Sequence, residues 1–223
     1  TVIAFYKGSP VEVVEKPMYA VEQKEIGVEE DGVAYKQIFK TPQFYSLGLG
    51  YILVPMVAQG ALSNLPLMTA DLGYGDLSGI FLSVALVASA AFFVPAGMII
   101  DRIGTKWMVT IAIAFLEIAL LLLRFTAPSL PVVYIIAALI GAASDACQLP
   151  FGISVREAFG SREYSKKLGI IAAFVFLALA FGPSVMTMFY DMNGNYQMAI
   201  AVFIILGAVG TVAIHFGTKR VVE

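Results

Sequence analysis

The sequence predicts an all-α membrane protein with six transmembrane helices, and three observations carry that prediction. Hydrophobic residues make up 59% of the chain and charged residues 13%, with a mean hydropathy of +0.85, where a soluble domain carries about 25% charge. Apolar residues gather into six runs of about twenty, the length that crosses a hydrocarbon layer of about 30 Å as a helix. Lysine and arginine fall between alternate runs, the pattern that orients a polytopic protein. Lipid offers a backbone no hydrogen-bond partner, so a spanning segment is a helix or part of a closed barrel, and these runs are too long for barrel strands.

In chain order, Thr1 to Tyr6 is an apolar stub running into Lys7, which reads as the end of a helix (1–6) belonging to a longer protein. Residues 7–40 are polar, with Glu12, Glu15, Glu22, Glu25, Glu29, Glu30 and Asp31 set among Pro10, Pro17, Gly27 and Gly32, and read as a solvated linker. At its end Tyr35, Ile38 and Phe39 share one helical face beside Lys36 and Lys40, which suits a short amphipathic helix lying at the membrane interface. Thr41-Pro42 opens a six-helix domain (41–217) with spans at Phe44 to Leu67, Leu77 to Ile100, Trp107 to Phe125, Val132 to Ile153, Leu168 to Phe189 and Tyr196 to Phe216; residues 218–223 form a tail.

Placing the linker in the cytoplasm puts Lys36, Lys40, Arg102, Lys106, Arg156, Arg162, Lys166, Lys167, Lys219 and Arg220 on that side. The loops Met68 to Asp76 and Tyr190 to Asn195 carry no base. Both ends of the chain are then cytoplasmic and the protein sits in the cell membrane. Gly48, Gly50, Pro55, Pro95, Gly141, Gly182, Pro183, Gly207 and Gly210 mark close helix contacts and bends. Phe44, Tyr45, Trp107, Tyr134, Tyr190 and Tyr196 fall at span ends, where amphipathic rings anchor at headgroups.

The most informative stretch runs from Gly97 to Trp107 between spans two and three. Asp101 there can accept hydrogen bonds from the exposed amides of a neighbouring helix start, and Arg102 and Lys106 can pair with Glu157, Glu163 or lipid phosphate. Such contacts exist only while the cytoplasmic helix ends are together, so Gly97, Asp101, Arg102, Gly104 and Lys106 are candidates for a conformational gate; plain charge anchoring with glycine turns is the alternative.

The spacing Gly97-x-x-x-Asp101-Arg102-x-Gly104-x-Lys106 resembles the loop motif of the major facilitator superfamily, which occurs between helices two and three of each six-helix half. Trp107 stands where that family often has a second base. The segment Arg156 to Arg162 is similar to the family's cytoplasmic loop between helices ten and eleven, and Gly182-Pro183 with Asp191 to Tyr196 looks like the end of helix eleven and its outer turn. The resemblance implies the C-terminal half of a twelve-helix transporter, two inverted three-helix repeats, working with a missing N-terminal half by alternating access. The phrasing most resembles the oxalate/formate antiporter and monocarboxylate porter branch. Members handling oxalate carry a base inside helix eleven, and Leu168 to Phe189 has none.

Ionisable groups inside a membrane are functional candidates by default. Gly141, Asp145 and Gln148 share a face of span four, and Gln59, Ser63 and Asn64 offer polar groups from span one, a set that could line a substrate or proton cavity. Asp145 could carry a proton, attract a cation, or simply pair for packing; an acid there fits an anionic cargo poorly without proton coupling. Glu117 lies mid-span with Arg124 seven residues on, so structural pairing, snorkelling or a proton relay are open. His215 reads as interfacial. The lone Cys147 excludes an internal disulfide. No phosphate loop, metal-spaced cluster or nucleophile-base pair is present, so neither an enzyme, a cofactor nor a nucleic-acid partner is expected. The expected function is secondary transport of a small organic solute, a carboxylate among the candidates, by antiport or proton symport; a non-transporting sensor or assembly subunit on the same scaffold is the alternative.

Overall fold

The computed structural model of the protein describes residues 32–126 and 129–221, so the expected helix end at 1–6, the linker up to residue 31 and the last two tail residues lie outside it. Among the described residues the chain is helical, without strands.

The first helix, α1 (Tyr35–Ile38), is a single turn. Its Ile38 is fully buried against the bundle, and Phe39, just after it, meets Phe44 edge-on at 5.0 Å. α2 (Pro42–Thr69) begins where Thr41-Pro42 signals it, because a proline in the first turn gives up only an amide that has no helical partner. A π-helical turn (Ala70–Tyr74) and a 3-10 turn (Gly75–Leu77) lead into α3 (Ser78–Ile103). The helical stretch Pro42–Ile103 is 62 residues long, about 93 Å if straight. Gly73, with φ 87°, breaks it at a conformation open to glycine, and α3 packs back on α2.

Gly104 performs the next turn at φ 87° and is at once the end of α3 and the start of α4 (Thr105–Phe125). Then follow α5 (Leu130–Ala146), α6 (Phe151–Phe159), α7 (Tyr164–Asn193) and α8 (Gln197–Gly217). Among the described residues, four helical stretches are long and apolar enough to cross a membrane, Pro42–Ile103, Thr105–Phe125, Tyr164–Asn193 and Gln197–Gly217; α5 with α6 makes a fifth if that pair counts as one span.

The fourth expected span, Val132 to Ile153, is corrected. It is broken between Ala146 and Phe151 and bent by 40°. Pro150 has no amide to give to the Ala146 carbonyl and its ring crowds that carbonyl, so α5 ends four residues before it. The continuation, α6, runs six residues past the expected end at Ile153, so Arg156 is helical and the loop toward α7 starts at Gly160.

α2 packs most extensively on α7 and α8, α3 on α5, and α4 on α5 and α8. Small residues set the closest crossings. A Cβ on Gly141 would collide with the backbone carbonyl of Ala85 on α3, and one on Gly182 would lie 2.5 Å from the Met56 carbonyl on α2. Pro55 is buried inside α2, and Pro183 lies inside α7 beside Gly182. Leu86, Val87, Phe93 and Val94 on α3, and Phe176, Leu177 and Phe181 on α7, remain exposed.

Gly141→Ala should therefore lower the melting temperature of the detergent-solubilised protein, by a loss of about 1–3 kcal/mol, because backbone faces backbone and neither can withdraw. Gly169→Ala, at a helical site with nothing within 4 Å, should leave it unchanged or raise it by up to about 1 kcal/mol.

Candidate functional site

Asp145 is the penultimate residue of α5, at the edge of the break. Its carboxylate accepts a hydrogen bond from the Ser89 hydroxyl on α3. Ala85 and Ser89 are one turn apart on α3, as Gly141 and Asp145 are on α5, so the Gly141–Ala85 contact and the Asp145–Ser89 bond are successive rungs of one helix crossing. The close approach at Gly141 brings the serine within reach of the acid. Ser89 is buried, whereas Asp145 is exposed. Gln148, in the break itself, donates to the Ser144 carbonyl at 3.1 Å and is half-buried.

On α2, Gln59 donates to the Ser63 hydroxyl at 3.2 Å, and Ser63 is exposed. No hydrogen bond joins this pair to Asp145 or Gln148 among the described residues. Asn64, expected beside them, is buried. It is 3% exposed, its amide donates to the carbonyls of Gly60 at 3.0 Å and Pro183 at 3.3 Å, and its oxygen accepts from Thr187 at 3.1 Å and Tyr196 at 3.4 Å. With every amide function engaged it fastens α2 to α7 and to the start of α8.

In the loop motif, Gly97 and Asp101 lie one turn apart on α3 and line a groove of about 370 Å³ with Phe93, Ile100, Leu149 and Ile153. Nothing lies within 4 Å of a Cβ placed on Gly97. Asp101 and Arg102 are exposed, and no described residue bonds to the Asp101 carboxylate. The expected pairing of Arg102 or Lys106 with Glu157 or Glu163 does not form. Glu157 on α6 instead accepts the Thr105 hydroxyl at 2.5 Å, and Glu163 pairs with Lys166 at 2.7 Å.

Lys167, which sequence counts as one more surface base, is fully buried. Its ammonium donates to the carbonyls of Phe159 at 2.6 Å, Val33 at 3.2 Å and Gly160 at 3.3 Å. Those of Phe159 and Gly160 are unpaired carbonyls that a helix leaves at its C-terminal end. Around the same turn, Glu163 accepts the Tyr35 amide at 2.9 Å, the Val221 amide donates to Ala158 at 3.1 Å, and a Cβ on Gly32 would strike the Phe159 carbonyl. The segment before α2, the end of α6 and the tail are thus tied together. Nothing in the sequence distinguishes Lys167 from Lys166 beside it.

Glu117 and Arg124 do not pair. The Arg124 guanidinium donates to the Gln197 carbonyl at the start of α8, while one carboxyl oxygen of Glu117 is enclosed without a hydrogen-bond partner. His215 lies 2.8 Å from the Thr110 hydroxyl. Among the described residues no group of three His, Cys, Asp or Glu side chains is placed to hold a metal.

The hydrogen bond from Lys166, and then that from the Tyr35 amide, hold the Glu163 carboxyl below the usual carboxylate range. A depressed folded pKa gives stability that is present above the unfolded value, about 4.3, and lost as pH falls through the folded one. In hydrogen exchange corrected for intrinsic rate, the Tyr35 amide of Glu163→Ala should exchange faster than wild type at neutral pH. The difference should shrink as the wild-type carboxylate protonates in acid.

Long apolar helices of this kind suit a membrane protein, and comparison with known proteins identifies the family. No curated protein matches the chain at a significant level. The sequence pattern of the Major Facilitator Superfamily matches residues 20–222, nearly the whole chain, and the chain belongs to that family of membrane transporters.

Proposed function

We propose that the chain is the C-terminal half of a secondary active transporter that moves a small organic solute by alternating access, with its basic end in the cytoplasm. The observation that carries this reading is the Asp145–Gln148 break: a carboxylate and an amide stand at an interruption between two helical pieces, on a face that the described residues leave open. Irregular backbone at membrane depth is tolerated where it lines a cavity, and broken helices of this kind hold substrate or coupling-ion sites. Asp145, Gln148, Gln59 and Ser63 would contribute the cavity wall. An acid there favours proton coupling, or a neutral or cationic cargo, over an uncompensated carboxylate.

The helix packing supports two repeats of three helices. Count the α5–α6 pair as one helix and exchange α2 with it, α3 with α7, and α4 with α8. The α2–α7 contact then becomes α3–α5, α2–α8 becomes α4–α5, and α2–α3 becomes α6–α7, while α4–α8 maps onto itself; all of these contacts occur. The exposed apolar faces of α3 and α7 suit a second six-helix half. Gly97 and Asp101 suit a gate against it, since nothing among the described residues requires the small residue at 97.

Full-length protein in proteoliposomes should take up a solute from a panel of carboxylates, sugars and amines. Asp145→Asn should reduce that flux by on the order of tenfold, equivalent to about 1.4 kcal/mol, with the melting temperature nearly unchanged. Solute binding without flux would instead indicate a sensor. Asp101→Asn should change the labelling of cysteines placed at Gly97 or Ile153, and unchanged labelling would remove the gate from the mechanism.

A further inference from the structure

We propose that Glu117 is a proton-binding site set into the seam between α4 and α8, occupied by a proton while the two helices are packed and vacated only when they part. The residue lies twelve positions into the 21-residue α4, about 18 Å from its start, so it sits near the middle of a span. One of its carboxyl oxygens is enclosed and has no hydrogen-bond partner. What encloses it is specific: a Cβ on Gly207 of α8 would stand 3.3 Å from that oxygen, with Ile113 and Val57 at 3.6 and 3.9 Å from the same point. The missing side chain at Gly207 makes the niche that receives the carboxyl.

No charge on the elements packed against α4 reaches it. On α4 itself, Arg124 is turned to the Gln197 carbonyl, and Lys106 is near the opposite end. On α8, His215 is two turns from Gly207 and bonds to Thr110. On α5, Asp145 bonds across to Ser89, and Tyr134 meets Phe81. On α6, Glu157 holds Thr105, and Arg156 is exposed. Asp101 and Arg102 end α3, and on α2 Tyr51 bonds to Ser154 while Tyr45 bonds to the Phe39 carbonyl. An ionised carboxylate at mid-span, with one oxygen enclosed by apolar groups and neither donor nor counter-charge among the described residues, is far costlier than the neutral acid, so such a group holds its proton. Ionisation would have to bring water or a cation to the enclosed oxygen. The site is separate from Asp145 and stands whatever the transported solute is.

The test uses the full-length protein in lipid nanodiscs. Infrared difference spectra at neutral pH, wild type minus Glu117→Gln, should contain a carboxylic acid C=O band. Dicyclohexylcarbodiimide, to which a carboxylic O–H adds across one N=C bond to give an O-acylisourea, should label Glu117 faster than the exposed Asp101 by mass spectrometry. A carboxylate band in the difference spectrum, or labelling of Glu117 no faster than of Asp101, overturns the proposal. Gly207→Ala keeps the acid but crowds its niche and should shift the C=O band; an unshifted band would place the carboxyl outside the seam and equally overturn it.

Discussion

The constraint on which this structure depends is that a backbone polar group removed from water must find its partner within the protein. It makes the long apolar runs helical, and it also decides what happens where a helix stops. At the end of α6 the unpaired carbonyls are gathered by the Lys167 ammonium and the Val221 amide. The carbonyls of Val33, Phe159 and Gly160 help to offset the burial of that ammonium. The same requirement explains Asn64, whose amide reaches the Pro183 carbonyl across the α2–α7 contact. Polar side chains in this protein largely serve the backbone.

A second constraint is distance between helices. In a lipid environment, apolar side chains gain little by leaving lipid for one another, so contact area at short range matters more than hydrophobicity. Gly141 against Ala85 and Gly182 against Met56 bring backbones together where a methyl group would not fit. These crossings also fix chemistry, since Ser89 meets Asp145 one turn from the first and Asn64 spans the second. Gly97 and Gly104 differ from them. The former faces open space, and the latter serves a turn at positive φ.

Much of the fold is legible in the sequence because length and hydropathy act on whole helices. The start at Pro42 and the turn at Gly104 are legible because proline and glycine carry their conformational rule with them. The break before Pro150 is visible in principle, since proline inside an apolar run kinks or ends a helix, but Pro55, Pro95 and Pro183 sit inside helices that continue. Which proline breaks a helix depends on what its neighbours offer the freed carbonyl. The site is less legible. Asp145 is singled out by charge alone, whereas the engagement of Asn64, the burial of Lys167 and the orphaned oxygen of Glu117 each depend in part on a residue far along the chain, Pro183, Val33 and Gly207 respectively. Identity at one position does not encode such distant partners.

The chain contains one tryptophan, Trp107. It lies in the first turn of α4 at 57% exposure, its ring edge-on to His215 of α8 at 5.9 Å. The protein therefore carries an intrinsic fluorophore at the foot of the helix pair whose middle holds Glu117. Any sliding of α4 along α8 changes the surroundings of that indole, so the emission of Trp107 is an optical gauge of the pair that the chain itself supplies.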